Sequence, residues 1–77
     1  MEGDRIKEIL LSGLGDCDIE IEIDGNKVVL NLVSIVFEGL SRVRRQQKVY
    51  ALLNGMIASG EIHAITMRTQ TPDEISG

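Results

Sequence analysis

The amino-acid sequence predicts an α+β fold in which two helices pack on one face of a three-stranded mixed sheet. Residues 19–24, IEIEID, alternate strictly between apolar and acidic side chains, as a strand of a half-buried sheet does. Residues 4–12 and 42–58 instead repeat apolar side chains at the three- and four-residue spacing of amphipathic helices. Together with two further strand-like runs, these patterns predict the element order α-β-β-α-β.

The first helix is predicted over residues 4–12. Ile6, Ile9 and Leu10 share one helical face, and Gly13 follows them as a stop signal. Gly3 and Asp4 are the candidate caps at its start.

Two strands joined by a tight turn are predicted next. The isoleucines of residues 19–24 face one side and the acidic residues face the other. The DGN segment predicts a hairpin turn in which Gly25 and Asn26 both accept a positive φ. Residues 27–34, KVVLNLVS, are predicted to form the second strand, whose first face carries Val28, Leu30 and Leu32.

A longer helix is predicted after an irregular connection. Residues 35–41, IVFEGLS, lose the alternation, which indicates an irregular or 3₁₀ turn at Gly39. Ser41 is a suitable N-cap for a helix over residues 42–58, and Gly60 ends that helix. The predicted apolar stripe consists of Val43, Tyr50, Leu53 and Ile57, flanked by Val49, Leu52 and Met56.

The third strand is predicted over residues 62–70, IHAITMRTQ, with His63 near its start. A helical crossover joins it to the second strand, so the two strands are expected to be parallel if adjacent, with a right-handed connection. Pro72 is expected to close the regular structure and to leave residues 72–77 as a frayed tail. The whole chain, 1–77, is predicted to form a single domain.

Composition restricts the class of protein. One cysteine excludes an internal disulfide and favours a reducing compartment. The chain has no basic and apolar leader, and no apolar run of membrane-spanning length, so we expect a soluble, cytoplasmic protein. The net charge of −4 argues against a general electrostatic grip on nucleic acid. The sequence contains no P-loop, no CxxC and no Ser-His-Asp set, so an enzyme is not expected.

The start of the second helix breaks a local rule. Arg42, Arg44 and Arg45 lie in and just beyond its first turn, where the helix dipole disfavours cations by about 0.3–1 kcal/mol each. Free backbone N–H groups beside arginines predict an anion site, for a carboxylate, a phosphate or a glutathione-like ligand. The alternative is that nearby carboxylates neutralise the arginines, namely those of Glu38, Glu20 and Glu22.

The chain has one histidine and one cysteine, and each allows two interpretations. His63 is either a partly buried imidazole with one hydrogen bond or a ligand in a larger site. Cys17 is either a small buried apolar residue or a ligand. Neither residue can hold a metal alone.

Two segments, VFEGLSRVRRQQKVYALL and GEIHAITMRTQTPDE, resemble the BolA family and, within it, the IbaG/YrbA-like branch. Residues 36–53, VFEGLSRVRRQQKVYALL, contain the Phe-Glu-Gly-Leu-Ser turn followed by the Arg-rich helix with Val-Tyr. Residues 60–74, GEIHAITMRTQTPDE, contain the Ile-His-Ala start of the last strand and the Thr-Pro that follows it. The resemblance implies an α-β-β-α-β fold related to type II KH domains.

The resemblance also implies a function in iron–sulfur trafficking and stress response, with a monothiol glutaredoxin as partner. The residue matching the family's cluster ligand is His63. A [2Fe–2S] cluster needs four ligands, so it would be shared with the partner's cysteine and glutathione, and the chain alone would hold none. Many relatives carry a second His or Cys in the hairpin loop, where this chain has only Asp24, Asn26 and Lys27.

Two further functions stay open at this stage. The family's helix region has been interpreted as a nucleic-acid-binding surface of a transcriptional regulator, which here would use Arg42, Arg44, Arg45 and Lys48, although the KH-type GxxG loop is missing. Lys27 is a further candidate for partner or anion binding. A weak homodimer bridging a metal through two copies of His63, with Cys17 as an additional ligand, is the third hypothesis; the alternative is a monomer.

Overall fold

The computed structural model describes residues 2–76, and its main elements follow the predicted order. They are α1 (Glu2–Leu14), β1 (Asp18–Asp24), β2 (Lys27–Val33), a 3₁₀ turn (Ile35–Phe37), α2 (Arg42–Ala58), β3 (Ala64–Gln70) and α3 (Pro72–Ser76). The α-β-β-α-β order and the bounds of α2 are confirmed, and α3 is an addition. No helix within residues 2–76 is both long enough and apolar enough to cross a membrane.

The sheet has the order β1-β2-β3, antiparallel between β1 and β2 and parallel between β2 and β3. Asp24 pairs with Lys27 next to the hairpin turn, and Lys27 pairs with Ala64 at the start of β3. The hairpin turn and the start of β3 therefore lie at the same end of the sheet. The start of β1, where Asp18 pairs with Val33, lies at the other end.

The hairpin turn needs only one residue with positive φ. Gly25 has a φ of +62°, and among residues 2–76 no residue other than glycine has a positive φ. The prediction that Asn26 also adopts a positive φ is therefore wrong. A two-residue loop with glycine at its first position is the type II′ arrangement, whose twist matches that of the flanking strands.

The core lies between one sheet face and the two long helices, as predicted. The largest fully buried side chains come from α1, β2, the 3₁₀ turn and α2: Ile6, Leu10, Leu30, Leu32, Phe37, Val49 and Leu53. The opposite sheet face carries the exposed carboxylates of Glu20, Glu22 and Asp24. The alternation in β1 therefore marks the covered and open faces correctly.

The buried face of α2 differs from the predicted stripe. Val43 is 62% exposed and Tyr50 is 41% exposed, whereas Val49, Leu53 and Met56 are buried. Tyr50 lies one residue, about 100° around the helix, from Val49. The sequence thus offers two neighbouring apolar stripes, and packing against α1 and the sheet buries the second one.

The chain continues as a helix where closure was predicted. Pro72 is the first residue of α3, a position at which its missing N–H costs no hydrogen bond. The Glu74 N–H donates to Thr71 Oγ1 at 3.2 Å, and the Thr71 N–H donates to Glu74 Oε1 at 2.8 Å. This reciprocal pair is a capping box. The predicted end of regular structure at Pro72 is therefore wrong; the fraying of residues 72–77 stays a prediction, and Gly77 lies outside the described residues.

Candidate functional site

His63 lies in a bend before β3 and is exposed, because the strand begins only at Ala64. Its backbone N–H donates to the carbonyl oxygen of Asn26 at 2.9 Å, which ties it to the hairpin turn. Within residues 2–76 its imidazole makes no hydrogen bond. The prediction that His63 is part of the strand and the interpretation as a partly buried, hydrogen-bonded histidine are both wrong.

The segment around His63 is fixed on both sides. Gly60 ends α2 with a φ of +83°, and a Cβ there would lie 3.6 Å from His63 Nε2, so the imidazole rests beside a residue without a side chain. Ile62 is buried in the core, and its N–H donates to the Met56 carbonyl at 3.2 Å. The backbone at His63 is thus held by the core on one side and by the parallel ladder at Ala64 on the other.

A second contact anchors this segment to α1. The Arg5 guanidinium forms an ion pair with Glu61 at 3.1 Å, and both side chains are substantially exposed. Exposed pairs of this kind contribute at most about 1 kcal/mol, so this ion pair orients the turn more than it stabilises the fold.

Besides His63, the hairpin end of the sheet offers few side chains that could bind a metal. Asp24 and Lys27 are exposed beside a cavity of about 550 Å³ on the open sheet face. Within residues 2–76 no three His, Cys, Asp or Glu side chains are grouped so as to hold a metal ion. The chain therefore offers a single exposed imidazole, which fits one position of a site completed by another molecule and does not fit a metal site of its own.

Cys17 lies far from His63. It precedes β1 at the end of the sheet where Asp18 pairs with Val33, whereas His63 lies at the hairpin end. Because β1 has seven residues, the two ends of the sheet lie about 20 Å apart. Burial raises the pKa of the Cys17 thiol, which disfavours the thiolate that a metal requires. Cys17 and His63 of one chain therefore cannot share a ligand set.

The arginines at the start of α2 divide into two groups. Arg42 and Arg44 are exposed, as is Lys48, whereas the Arg45 side chain is only 12% exposed. Arg45 donates to the carbonyl oxygens of Leu40 at 3.0 Å and Thr69 at 3.2 Å, and to Glu74 at 2.8 and 3.1 Å.

Arg45 therefore fastens α3 to α2 and β3 through these bonds, and its role as an anion ligand stays a prediction. Its neutralising partner is Glu74, not Glu38, Glu20 or Glu22. Anion or nucleic-acid binding by Arg42, Arg44, Lys48 and Lys27 stays a prediction.

The Arg45–Glu74 contact makes stability depend on pH. The hydrogen bond from Arg45, with the backbone N–H of Thr71, lowers the pKa of Glu74 from 4.5 to about 2. A carboxyl group whose pKa falls on folding stabilises the fold fully above its unfolded pKa and loses this effect as the pH falls through its folded pKa. We expect the free energy of unfolding of wild type to exceed that of Glu74→Gln above a pH of about 4.5, and the gap to close towards about pH 2.

Urea denaturation of both proteins across that pH range measures this gap, with Glu38→Gln as the matched control on an exposed carboxylate. A gap that stays constant down to about pH 2 would contradict the assignment.

Comparisons with known proteins agree with this fold and with the family resemblance of residues 36–53 and 60–74. Residues 25–74 match the family model described as BolA-like protein. The chain is 35% identical over 74 residues to the acid stress protein IbaG of Escherichia coli, covering 96% of this chain and 88% of that protein. It is 42% identical over 74 residues to an uncharacterized protein from the rpoN-murA intergenic region of Acinetobacter guillouiae, covering 96% and 89%.

Solved structures show the same architecture. The BolA domain of SufE1 from Arabidopsis thaliana superposes with a TM-score of 0.87 at 32% identity, covering 95% of this chain and 94% of that one. BolA1 from the same plant superposes with a TM-score of 0.86 at 30% identity, covering 96% and 95%. The resemblance of the two sequence segments is confirmed, and the chain belongs to the BolA family.

Proposed function

We propose that this chain is a non-enzymatic binding module that docks a monothiol glutaredoxin and contributes His63 to a [2Fe–2S] cluster held between the two proteins. The cluster is cargo in iron–sulfur trafficking in the cytoplasm. Because the chain is similar to a protein named for acid stress, we extend the proposal to a role in stress response.

One observation carries the proposal: His63 is exposed while its backbone is fixed. The hydrogen bond to Asn26, the buried Ile62 and the ladder at Ala64 hold the residue on the hairpin end of the sheet. A ligand placed on rigid elements reaches an incoming partner at little cost in conformational entropy. A histidine kept only for packing would be buried, and this one is not.

The donor set explains why the cluster must be shared. A [2Fe–2S] cluster takes four ligands, mostly thiolates, and imidazole replaces thiolate in some sites. Cys17 lies at the other end of the sheet, Asp24 is a hard oxygen donor, and a lysine such as Lys27 is not a usual ligand of iron–sulfur clusters. In the proposal the partner's cysteine and glutathione supply the remaining ligands.

The direct test is a titration of this chain into cluster-loaded monothiol glutaredoxin, followed by visible absorption and circular dichroism. We expect a saturable change, because replacing a thiolate by imidazole alters the electronic transitions of the cluster. Glutaredoxin in its cluster-free form, titrated in the same way by calorimetry, measures docking separately. Docking without any spectral change would remove the ligand role and leave the binding role.

A second variant tests whether the hairpin tip limits the lifetime of the cluster. Lys27 pairs with Ala64, next to His63, and borders the hairpin loop, where the family resemblance implies an additional His or Cys. We expect Lys27→Cys to slow the loss of the cluster from the complex, because a thiolate is a far better iron ligand than an ammonium group. The decay of visible absorption under a chelator measures this rate.

The matched control is Gln47→Cys, which adds an exposed thiol near the start of α2, at the end of the sheet opposite the hairpin. Equal decay rates in the two cysteine variants would place the cluster away from Lys27.

A further inference from the structure

A second surface lies at the end of the sheet opposite His63. It is an open groove of about 390 Å³, within the range of about 300–1,000 Å³ seen for ligand sites. Its walls come from the start of β1, the 3₁₀ turn and α3, and include Asp16, Cys17, Asp18, Ile35 and Ile75. We call this surface the Ile35–Ile75 groove.

The groove concentrates exposed apolar surface. Ile35 is 61% exposed and Ile75 is 56% exposed, although they belong to different elements. The two side chains line the same groove, together with Val33 and Pro72. Exposed apolar surface gathered in one concavity and bordered by polar groups is typical of interaction sites, whereas scattered exposed apolar residues need no explanation.

The border of the groove is acidic. Asp16 and Asp18 are exposed, and neither forms an ion pair within residues 2–76. A nucleic acid or an anionic membrane surface would be repelled by these carboxylates. Two copies of this chain meeting across a twofold axis would bring the same carboxylates together. The charge therefore favours a cationic occupant.

We propose that the Ile35–Ile75 groove binds an apolar segment of a protein partner that carries lysine or arginine side chains beside its apolar anchor. The apolar anchor contacts Ile35 and Ile75, and the cations face Asp16 and Asp18. Because the groove and His63 lie at opposite ends of the sheet, a partner can occupy this groove while a second protein docks at His63.

The chain's only cysteine makes the groove easy to monitor. Cys17 lines it, so the rate at which iodoacetamide alkylates Cys17 reports whether the groove is occupied. The probe is a short synthetic peptide of Lys-Leu-Leu-Lys repeats, and its twin of Glu-Leu-Leu-Glu repeats is the charge control. We expect the lysine peptide alone to slow alkylation of the full chain in a saturable manner.

Variants locate the binding. Ile35→Asp and Ile75→Asp are each expected to weaken the affinity for the lysine peptide by about tenfold. Val43→Asp, at an equally exposed apolar site on α2, is expected to leave the affinity unchanged. Exchanging Asp16 and Asp18 for asparagine is expected to reduce the salt dependence of binding, since exposed charge pairs are screened by salt.

Three results would overturn the proposal. The first is an absence of protection at the highest soluble concentration of the lysine peptide. The second is equal protection by the glutamate twin. The third is self-association of the chain that is lost in Ile75→Asp by sedimentation, which would assign the groove to a second copy.

Discussion

His63→Ala is expected to abolish the visible circular dichroism change that wild type produces in cluster-loaded monothiol glutaredoxin. The substitution removes the imidazole that we propose as the chain's ligand to the cluster, and Cys17 and Asp24 cannot take its place for reasons of position and donor type. The backbone hydrogen bond to Asn26 does not depend on the side chain. Docking and folding should therefore survive, with the free energy of unfolding changed by less than about 0.5 kcal/mol.

The effect of His63→Ala is separated from a loss of docking by calorimetry with the cluster-free partner. His63→Cys is the informative companion, because a thiolate at the same position should restore a spectral change of different shape. Asn54→Ala, at an exposed site on α2, serves as the neutral control. If the His63→Ala complex keeps the wild-type spectrum, His63 is not a ligand.

Phe37→Ala is expected to destabilise the domain more than any substitution at an exposed site. Phe37 is fully buried among helix and sheet side chains, and removing a buried phenylalanine costs about 3–5 kcal/mol. A domain of this length has a total free energy of unfolding of about 4–12 kcal/mol, so the variant should lose a large fraction of its stability. The chain has no tryptophan, so urea denaturation followed by far-ultraviolet circular dichroism is the suitable measurement.

Ile35→Ala provides the matched control for Phe37→Ala. Ile35 belongs to the same 3₁₀ turn but is mostly exposed, so its replacement should change stability by less than about 0.5 kcal/mol. Equal losses for the two variants would show that Phe37 does not anchor this turn in the core.

Elements with local signals could be predicted from the sequence. α2 begins after Ser41, whose hydroxyl accepts the Arg44 N–H at 3.2 Å, and it ends before Gly60, whose positive φ stops a helix. β1 alternates because one face is covered by helices and the other is open. In each case the deciding interaction lies within a few residues along the chain.

Features that depend on distant contacts could not be predicted. The choice between the two apolar stripes of α2 is made by packing, so the sequence pattern favours Val43 and Tyr50 for the core although Val49 is the buried residue. The ion pair of Arg45 with Glu74 could not be predicted, because the two residues lie 29 positions apart in the sequence. The start of α3 is an exception, because its Thr-Pro-Asp-Glu capping signal is local and prevails over the stop signal of Pro72.

The candidate site was predictable in identity and not in geometry. The family resemblance pointed to His63, but its place beside the hairpin follows from the register that pairs Lys27 with Ala64. The prediction of a strand from residue 62 also missed the exposure of His63, because the irregular segment that buries Ile62 continues through His63 and the strand begins only at Ala64.

The central claim, that His63 binds the cluster through a ring nitrogen, is tested most directly by pulsed electron paramagnetic resonance of the reduced complex. The chain contains one histidine, so growth with ¹⁵N-histidine labels His63 alone, while the glutaredoxin and glutathione stay unlabelled. We expect a strong ¹⁵N hyperfine coupling to the cluster that is absent from the unlabelled complex. Identical spectra from the labelled and unlabelled complexes, with docking shown by calorimetry, would contradict the claim.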